Sequence, residues 1–104
     1  MAPRDTAITV SKKYVRYLKE SGFPIIEAYL YGSYAKGEPN MSSDIDVALV
    51  VSKTAPDNMD GRARMRILAN DVDDRFEVVI FPEDRFQDWH PLVHQIITTG
   101  IRIK

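Results

Sequence analysis

The chain has 104 residues, 44% apolar and 28% charged, with a formal charge of −1 and no cysteine. One small domain spanning residues 1–104 with a single core is the expectation for that length. Disulfides and thiolate-bound zinc are excluded, no apolar run reaches the roughly 18 residues of a membrane span, and the absence of a basic excess or basic stripe argues against direct polynucleotide binding.

In chain order, Val10, Tyr14, Tyr17 and Leu18 share one helical face, with Lys12, Lys13, Arg16 and Lys19 largely elsewhere. This predicts a helix over Thr9 to Ser21, stopped by Gly22. Ile25 to Tyr31 is rich in β-branched and aromatic residues, and Ile45 to Val51 is almost continuously apolar. These read as neighbouring strands buried on at least part of both faces, with Gly37, Pro39 and Asn40 marking the turn region between them. Pro56 to Gly61 reads as a loop before a second helix whose core face is Met65, Leu68, Ala69 and Val72. A third strand is expected at Arg75 to Phe81, with Glu77, Val79 and Phe81 on one face and Phe76, Val78 and Ile80 on the other. Pro91 suits the first position of a last helix that carries Leu92, Val93, Ile96 and Ile97 and stops at Gly100, leaving Ile101 to Ile103 as a short edge strand. The fold class is therefore α/β (α+β): a small mixed sheet of three to four strands with helices packed on it. The start MAPRDTAITV lacks the apolar core of a secretory signal, so a cytoplasmic location is expected.

The stretch Gly32 to Val47, GSYAKGEPNMSSDIDV, carries the chemistry. In an extended strand, residues i and i+2 share a face, so Asp44 and Asp46 aim their carboxylates at one region while Ile45 and Val47 turn away. Magnesium prefers such hard oxygen ligands, takes only one or two protein carboxylates, and completes its shell with water and substrate phosphate. A calcium loop is excluded, because the residues after Asp44 run into an apolar strand without the glycine and glutamate that an EF-hand loop requires. Nucleotidyl transfer by in-line attack of a hydroxyl on an α-phosphate uses two metal ions and wants a third carboxylate. Glu77, the one acid inside the third predicted strand, is the candidate, since a carboxylate among Phe76, Val78 and Val79 is costly unless paired or metal-bound. Gly32 lets the backbone approach a triphosphate, and Ser33 can donate to its oxygens. Lys36 and Ser43 complete the predicted nucleotide-binding set.

GSYAKGEPNMSSDIDV resembles the nucleotide-binding signature of the polymerase-beta-like nucleotidyltransferase superfamily, and the short chain is similar to its minimal nucleotidyltransferase branch. The resemblance implies a nucleotidyltransferase-like fold, contacts from Gly32 and Ser33 to the β and γ phosphates, and metal binding at Asp44 and Asp46. One departure stands at Glu77, where the family more often has aspartate; the extra methylene moves the carboxylate outward by about 1.5 Å. The resemblance further implies ATP or another nucleoside triphosphate as substrate and two Mg²⁺ ions. Members of this branch are typically paired with a small helical HEPN-class partner as antitoxin and toxin, and some transfer AMP onto that partner. After the third strand only a helix and a short strand remain, so the acceptor hydroxyl is expected from a HEPN-type partner protein or across a homo-oligomer interface. Two other functions are compatible with these residues: a catalytically inactive binding module, and a subunit of a small-molecule, aminoglycoside-type nucleotidyltransferase.

Several residues have plainer readings. Asp71, Asp73 and Asp74 look like solvated residues at a helix end, and Arg62, Arg64 and Arg66 like a solvated border of the second helix. His90 and His94 stand four apart, but Pro91 makes His90 a helix cap and no further soft ligand is in sight, so zinc is rejected. Trp89 is expected to pack at a corner or an interface. Tyr29 and Tyr31 are read as strand packing, and Tyr34 as a loop residue suited to ligand contact.

Overall fold

A computed structural model describes residues 3–37, 44–53 and 59–104, which form α1 (Pro3–Glu20), β1 (Ile25–Tyr31), α2 (Ser33–Lys36), β2 (Ile45–Val51), α3 (Met59–Val72), β3 (Phe76–Pro82), a 3-10 turn (Glu83–Arg85), α4 (Pro91–Thr99) and β4 (Ile101–Arg102). The strands make one sheet in the order β3-β2-β1-β4. β1 runs antiparallel to β2 and to β4, whereas β2 and β3 are parallel, joined through α3. The mixed sheet, both central strands and the closing edge strand agree with the sequence reading.

The main core lies between the sheet and the α1/α3 layer. Ile45, Val47, Leu49 and Val51 point into it from β2, with Ala28 and Leu30 from β1 and Ile80 from β3. The period-2 alternation sends Asp46, Ala48 and Val50 to the opposite face. Ala48 and Val50 are buried there as well, and α4, which packs on β1, buries Val93 and Ile96 completely. Central strands covered on both sides need apolar residues on both faces, which is why β2 reads as a nearly unbroken apolar run. Asp46 stands at the end of the α4-bearing face, at the start of that run.

α1 begins at Pro3, six residues before the expected start. Proline pre-sets the first-turn dihedral, Asp5 favours the helix N-terminus, and Ala7 is on the buried face. The buried face itself is Ala7, Ser11, Tyr14, Val15 and Leu18, rotated from the predicted stripe because a polar residue, Ser11, sits in the core. The helix ends in a Schellman arrangement, with Gly22 N–H donating to Lys19 O and Phe23 N–H to Leu18 O at 3.1 and 3.0 Å. The Tyr14 hydroxyl ties α1 to α3 by donating to Met65 O at 2.7 Å. Ser11 is fully buried, and its hydroxyl has no hydrogen-bond partner among the described residues. Removing an unpaired buried hydroxyl recovers its desolvation cost, and alanine is the better helix former. Ser11→Ala is therefore expected to raise stability by about 1 kcal/mol, read as a higher urea midpoint at unchanged slope.

Three further assignments change. Gly61, expected in a loop, lies inside α3, which starts at Met59. Ser33 to Lys36, expected as loop, closes a single helical turn whose Tyr34 and Ala35 are buried. Trp89 is 76% exposed, so it does not pack at a corner within the chain, while His90 caps α4 as expected, its Nδ1 accepting from Leu92 N–H at 3.2 Å. No described helix is long and apolar enough to cross a membrane.

Candidate active site

The strand register brings the site together. Asp46 of β2 is the cross-strand neighbour of Tyr31 on β1 and of Glu77 on β3, so the three form a row across the sheet on one face. Asp44 is exposed just before β2 and two residues from Asp46. Gly32 follows Tyr31 directly and turns the chain away from the sheet at φ 76°, ψ −153°. A side chain there would run into Asp46 Oδ2, so the bare glycine backbone and the carboxylate lie in contact. Glycine is required twice over: for that left-handed dihedral and for the close approach.

The electrostatics follow from this geometry. Burial, then the charges of Asp44 and Glu77, push the Asp46 carboxyl up to about 6. The Tyr31 phenol is pushed up to about 12 by burial and by Asp46 and Glu77. Of the three, only Asp46 is partly desolvated; Asp44 and Glu77 are exposed, and their charges act on it as like charges. An all-oxygen acidic set of this kind suits a hard divalent cation. Among the described residues no three acidic or imidazole side chains, Asp44, Asp46 and Glu77 included, are gathered as a group that could hold a metal ion. An incomplete protein shell is what magnesium chemistry expects when substrate phosphates and water fill the remaining positions.

Ser33 is half-buried in the first turn of α2, directly after Gly32, and Lys36 is exposed in its last turn. Ser43, Pro39 and Asn40 lie outside the described residues. Tyr34 does not face a ligand: it is 6% exposed, packed into the main core, and its hydroxyl accepts from Arg75 Nη1 at 3.2 Å. Asp73, expected to be solvated, accepts from Arg75 Nε and Nη2 at 3.0 and 2.8 Å and from Arg75 N–H at 2.9 Å. Arg64, read as part of a solvated border, spreads over the Phe23 ring at 5.3 Å. Tyr31 pairs with Asp46, and Arg75, held by Asp73, reaches the turn after Gly32. Only strand pairing and a contact between Arg75 and distant Tyr34 reveal Tyr31 and Arg75, and neither is encoded in local spacing.

The Asp73–Arg75 pair sets an acid-limb prediction. Hydrogen bonds from Arg75 hold the Asp73 carboxyl below its ordinary range, with burial opposing them. The associated stability is fully present above the unfolded value of about 3.9 and is lost as pH falls through the depressed native value. Because the Arg75 side chain is 43% exposed, solvent screening limits the effect. Asp73→Asn is expected to cost about 1 kcal/mol at neutral pH and nothing in strong acid, checked by urea denaturation across pH.

Similarity to other proteins agrees with this geometry. The family model for Polymerase beta, Nucleotidyltransferase matches residues 12–104. Among solved structures, a candidate nucleotidyltransferase from Sulfolobus solfataricus superposes with a TM-score of 0.66 at 18% identity, over 96% of this chain and 81% of that one. A mutant MntA-HpeT toxin-antitoxin gives 0.62 at 22%, covering 88% and 70%. A toxin-antitoxin with AMP-PNP gives 0.65 at 23%, covering 89% and 72%. No curated protein sequence matches. The family match spans β1, the glycine turn after it, the aspartate-bearing β2 and the strand of Glu77, and the chain belongs to the polymerase beta nucleotidyltransferase family.

Proposed function

We propose that the chain transfers a nucleoside monophosphate, AMP from ATP, to a hydroxyl on a partner protein, and that it serves as the antitoxin of a HEPN-type toxin. The observation that supports this most is the row of Asp46 and Glu77 with Asp44 alongside, set against the bare backbone of Gly32. Asp44 and Asp46 would hold magnesium, with Glu77 beside them. Bound there, Mg²⁺ supplies positive charge for the triphosphate and for the leaving pyrophosphate. Gly32 and Ser33 receive the β and γ phosphates, and Lys36 adds charge at the solvent side. The acceptor oxygen bonds to the α-phosphorus as the bond to the bridging oxygen of pyrophosphate breaks, and Glu77 takes the hydroxyl proton. Solved structures of similar fold include toxin-antitoxin complexes and one with AMP-PNP, which favours a protein partner and an adenine nucleotide over a free small-molecule acceptor.

The test is to incubate the purified chain with α-labelled ATP, Mg²⁺ and a co-encoded helical protein. Label on that protein, abolished by Asp44→Ala with Asp46→Ala, is the expected result. Protection by the double variant equal to wild type would assign a binding-only antitoxin instead, and label on a small amine or alcohol a small-molecule enzyme.

A further inference from the structure

Arg75 lies two residues before Glu77 and contacts both the start of β2 and the turn α2. Its carbonyl accepts from Ile45 N–H at 2.8 Å, the amide between Asp44 and Asp46. Its guanidinium donates to the Tyr34 hydroxyl and stands 6.0 Å from the centre of the Tyr34 ring. Tyr34 is two residues past Gly32, whose Cα abuts the Asp46 carboxylate. Asp73 grips the remaining guanidinium nitrogens. The contacts therefore close a ring: Arg75 main chain to Ile45, Asp46 to Gly32, Tyr34 to the Arg75 side chain.

We infer that Arg75 is a positioning residue that sets the separation between the glycine turn and the carboxylate strand, acting on nucleotide binding through Tyr34. This rests on the nucleotidyl-transfer reading of the site. Of the two joints of the ring, the β2–β3 ladder is fixed by continuous parallel pairing from Ile45 to Val51. The turn has no such ladder; α2 is one helical turn, held at its core side by Tyr34 and Ala35. A fork that spans Asp73 and Tyr34 at once is a task for arginine, because a lysine ammonium has no planar, two-ended geometry. Loss of a group that orients a metal-binding side chain lowers affinity by about 10- to 100-fold, and Arg75, one contact further out through Tyr34, is expected at the lower end.

The experiment is a double-mutant cycle on the affinity of Mg²⁺ with a non-hydrolysable ATP analogue, measured by calorimetry, with melting temperatures and amide NMR shifts on the same proteins. Arg75→Ala is expected to weaken binding by about tenfold and to shift the Gly32 and Ser33 amides before any ligand is added. Tyr34→Phe keeps the buried ring and is expected to weaken binding by a smaller factor, and to add nothing in the Arg75→Ala background. Arg75→Lys is expected to behave like Arg75→Ala; lysine restoring affinity, with Tyr34→Phe silent, would mean that Arg75 meets phosphate directly and would overturn the inference. Wild-type affinity in Arg75→Ala, or losses that multiply in the double variant, would overturn it too. If Arg75→Ala fails to fold, Tyr34→Phe and Arg75→Lys carry the same decision. A wild-type protein that binds no nucleotide sinks the function reading and this one together, whereas binding in the wild type with unaffected variants sinks only this one.

Discussion

Asp46→Asn is expected to make the metal-free protein more stable while removing its activity. Asp46 sits beside Asp44 and across from Glu77, and its carboxyl is pushed up to about 6 by burial and by these two charges. Holding a charge there costs folding free energy, since the unfolded chain pays no such penalty. Neutral asparagine keeps the shape and lifts the repulsion, so stability should rise by about 1 kcal/mol once solvent screening of the half-buried group is allowed for. The same change takes away a metal oxygen, and labelled transfer should fall by roughly 1000-fold. Urea denaturation without metal and single-turnover transfer with it check the two halves. A destabilised variant would mean that Asp46 belongs to a structural network, and an active one that it is no metal ligand.

Gly32→Ala is expected to damage both folding and binding. Its φ of 76° with ψ of −153° is a backbone region that an L side chain occupies only at a cost of about 1–3 kcal/mol. A Cβ there also meets Asp46 Oδ2, so the carboxylate must rotate out of its row. A misplacement near 1 Å at a reacting centre can cost about 100-fold, which is the expected loss of activity. Gly37, in the milder αL region at ψ 21°, controls for the close contact with Asp46. It too has a left-handed φ, 74°, but nothing within 4 Å of a built Cβ. Gly37→Ala should show the backbone cost alone and keep nucleotide affinity, measured by calorimetry beside the melting curve of each variant.

What was legible in the sequence was set by short-range patterns. Ile25 to Tyr31 and Ile45 to Val51 are apolar or β-branched enough to be strands on their own account, and both are placed at the expected residues. The two-residue spacing of Asp44 and Asp46 is legible too, whereas the burial argument for Glu77 is not met: register places it beside Asp46, but its side chain is exposed. What stayed hidden depends on tertiary pairing. Ser11 looks like a surface residue of an amphipathic helix, yet the fold rotates it into the core. Tyr34 follows the Gly-Ser pair and reads as loop, but one helical turn swings it inward to meet Arg75 from the distant turn before β3. Tyr31 becomes part of the site only through its register with Asp46. Asp73 reads as one of three solvated acids until the fork of Arg75 selects it.

In the proposed function Asp44 and Asp46 hold a divalent ion, with Glu77 beside them and a nucleotide lying against Gly32. Manganese replaces magnesium at oxygen sites and broadens nearby amide signals, so titrating Mn²⁺ with a non-hydrolysable ATP analogue into the isotope-labelled protein locates the ion directly. Loss of the Gly32, Asp44, Asp46 and Glu77 amides first is expected, with those of Ile25 and Val51 at the opposite end of the ladder least affected. Broadening centred anywhere else on the chain, or broadening at this row that survives Asp44→Ala with Asp46→Ala, would contradict it.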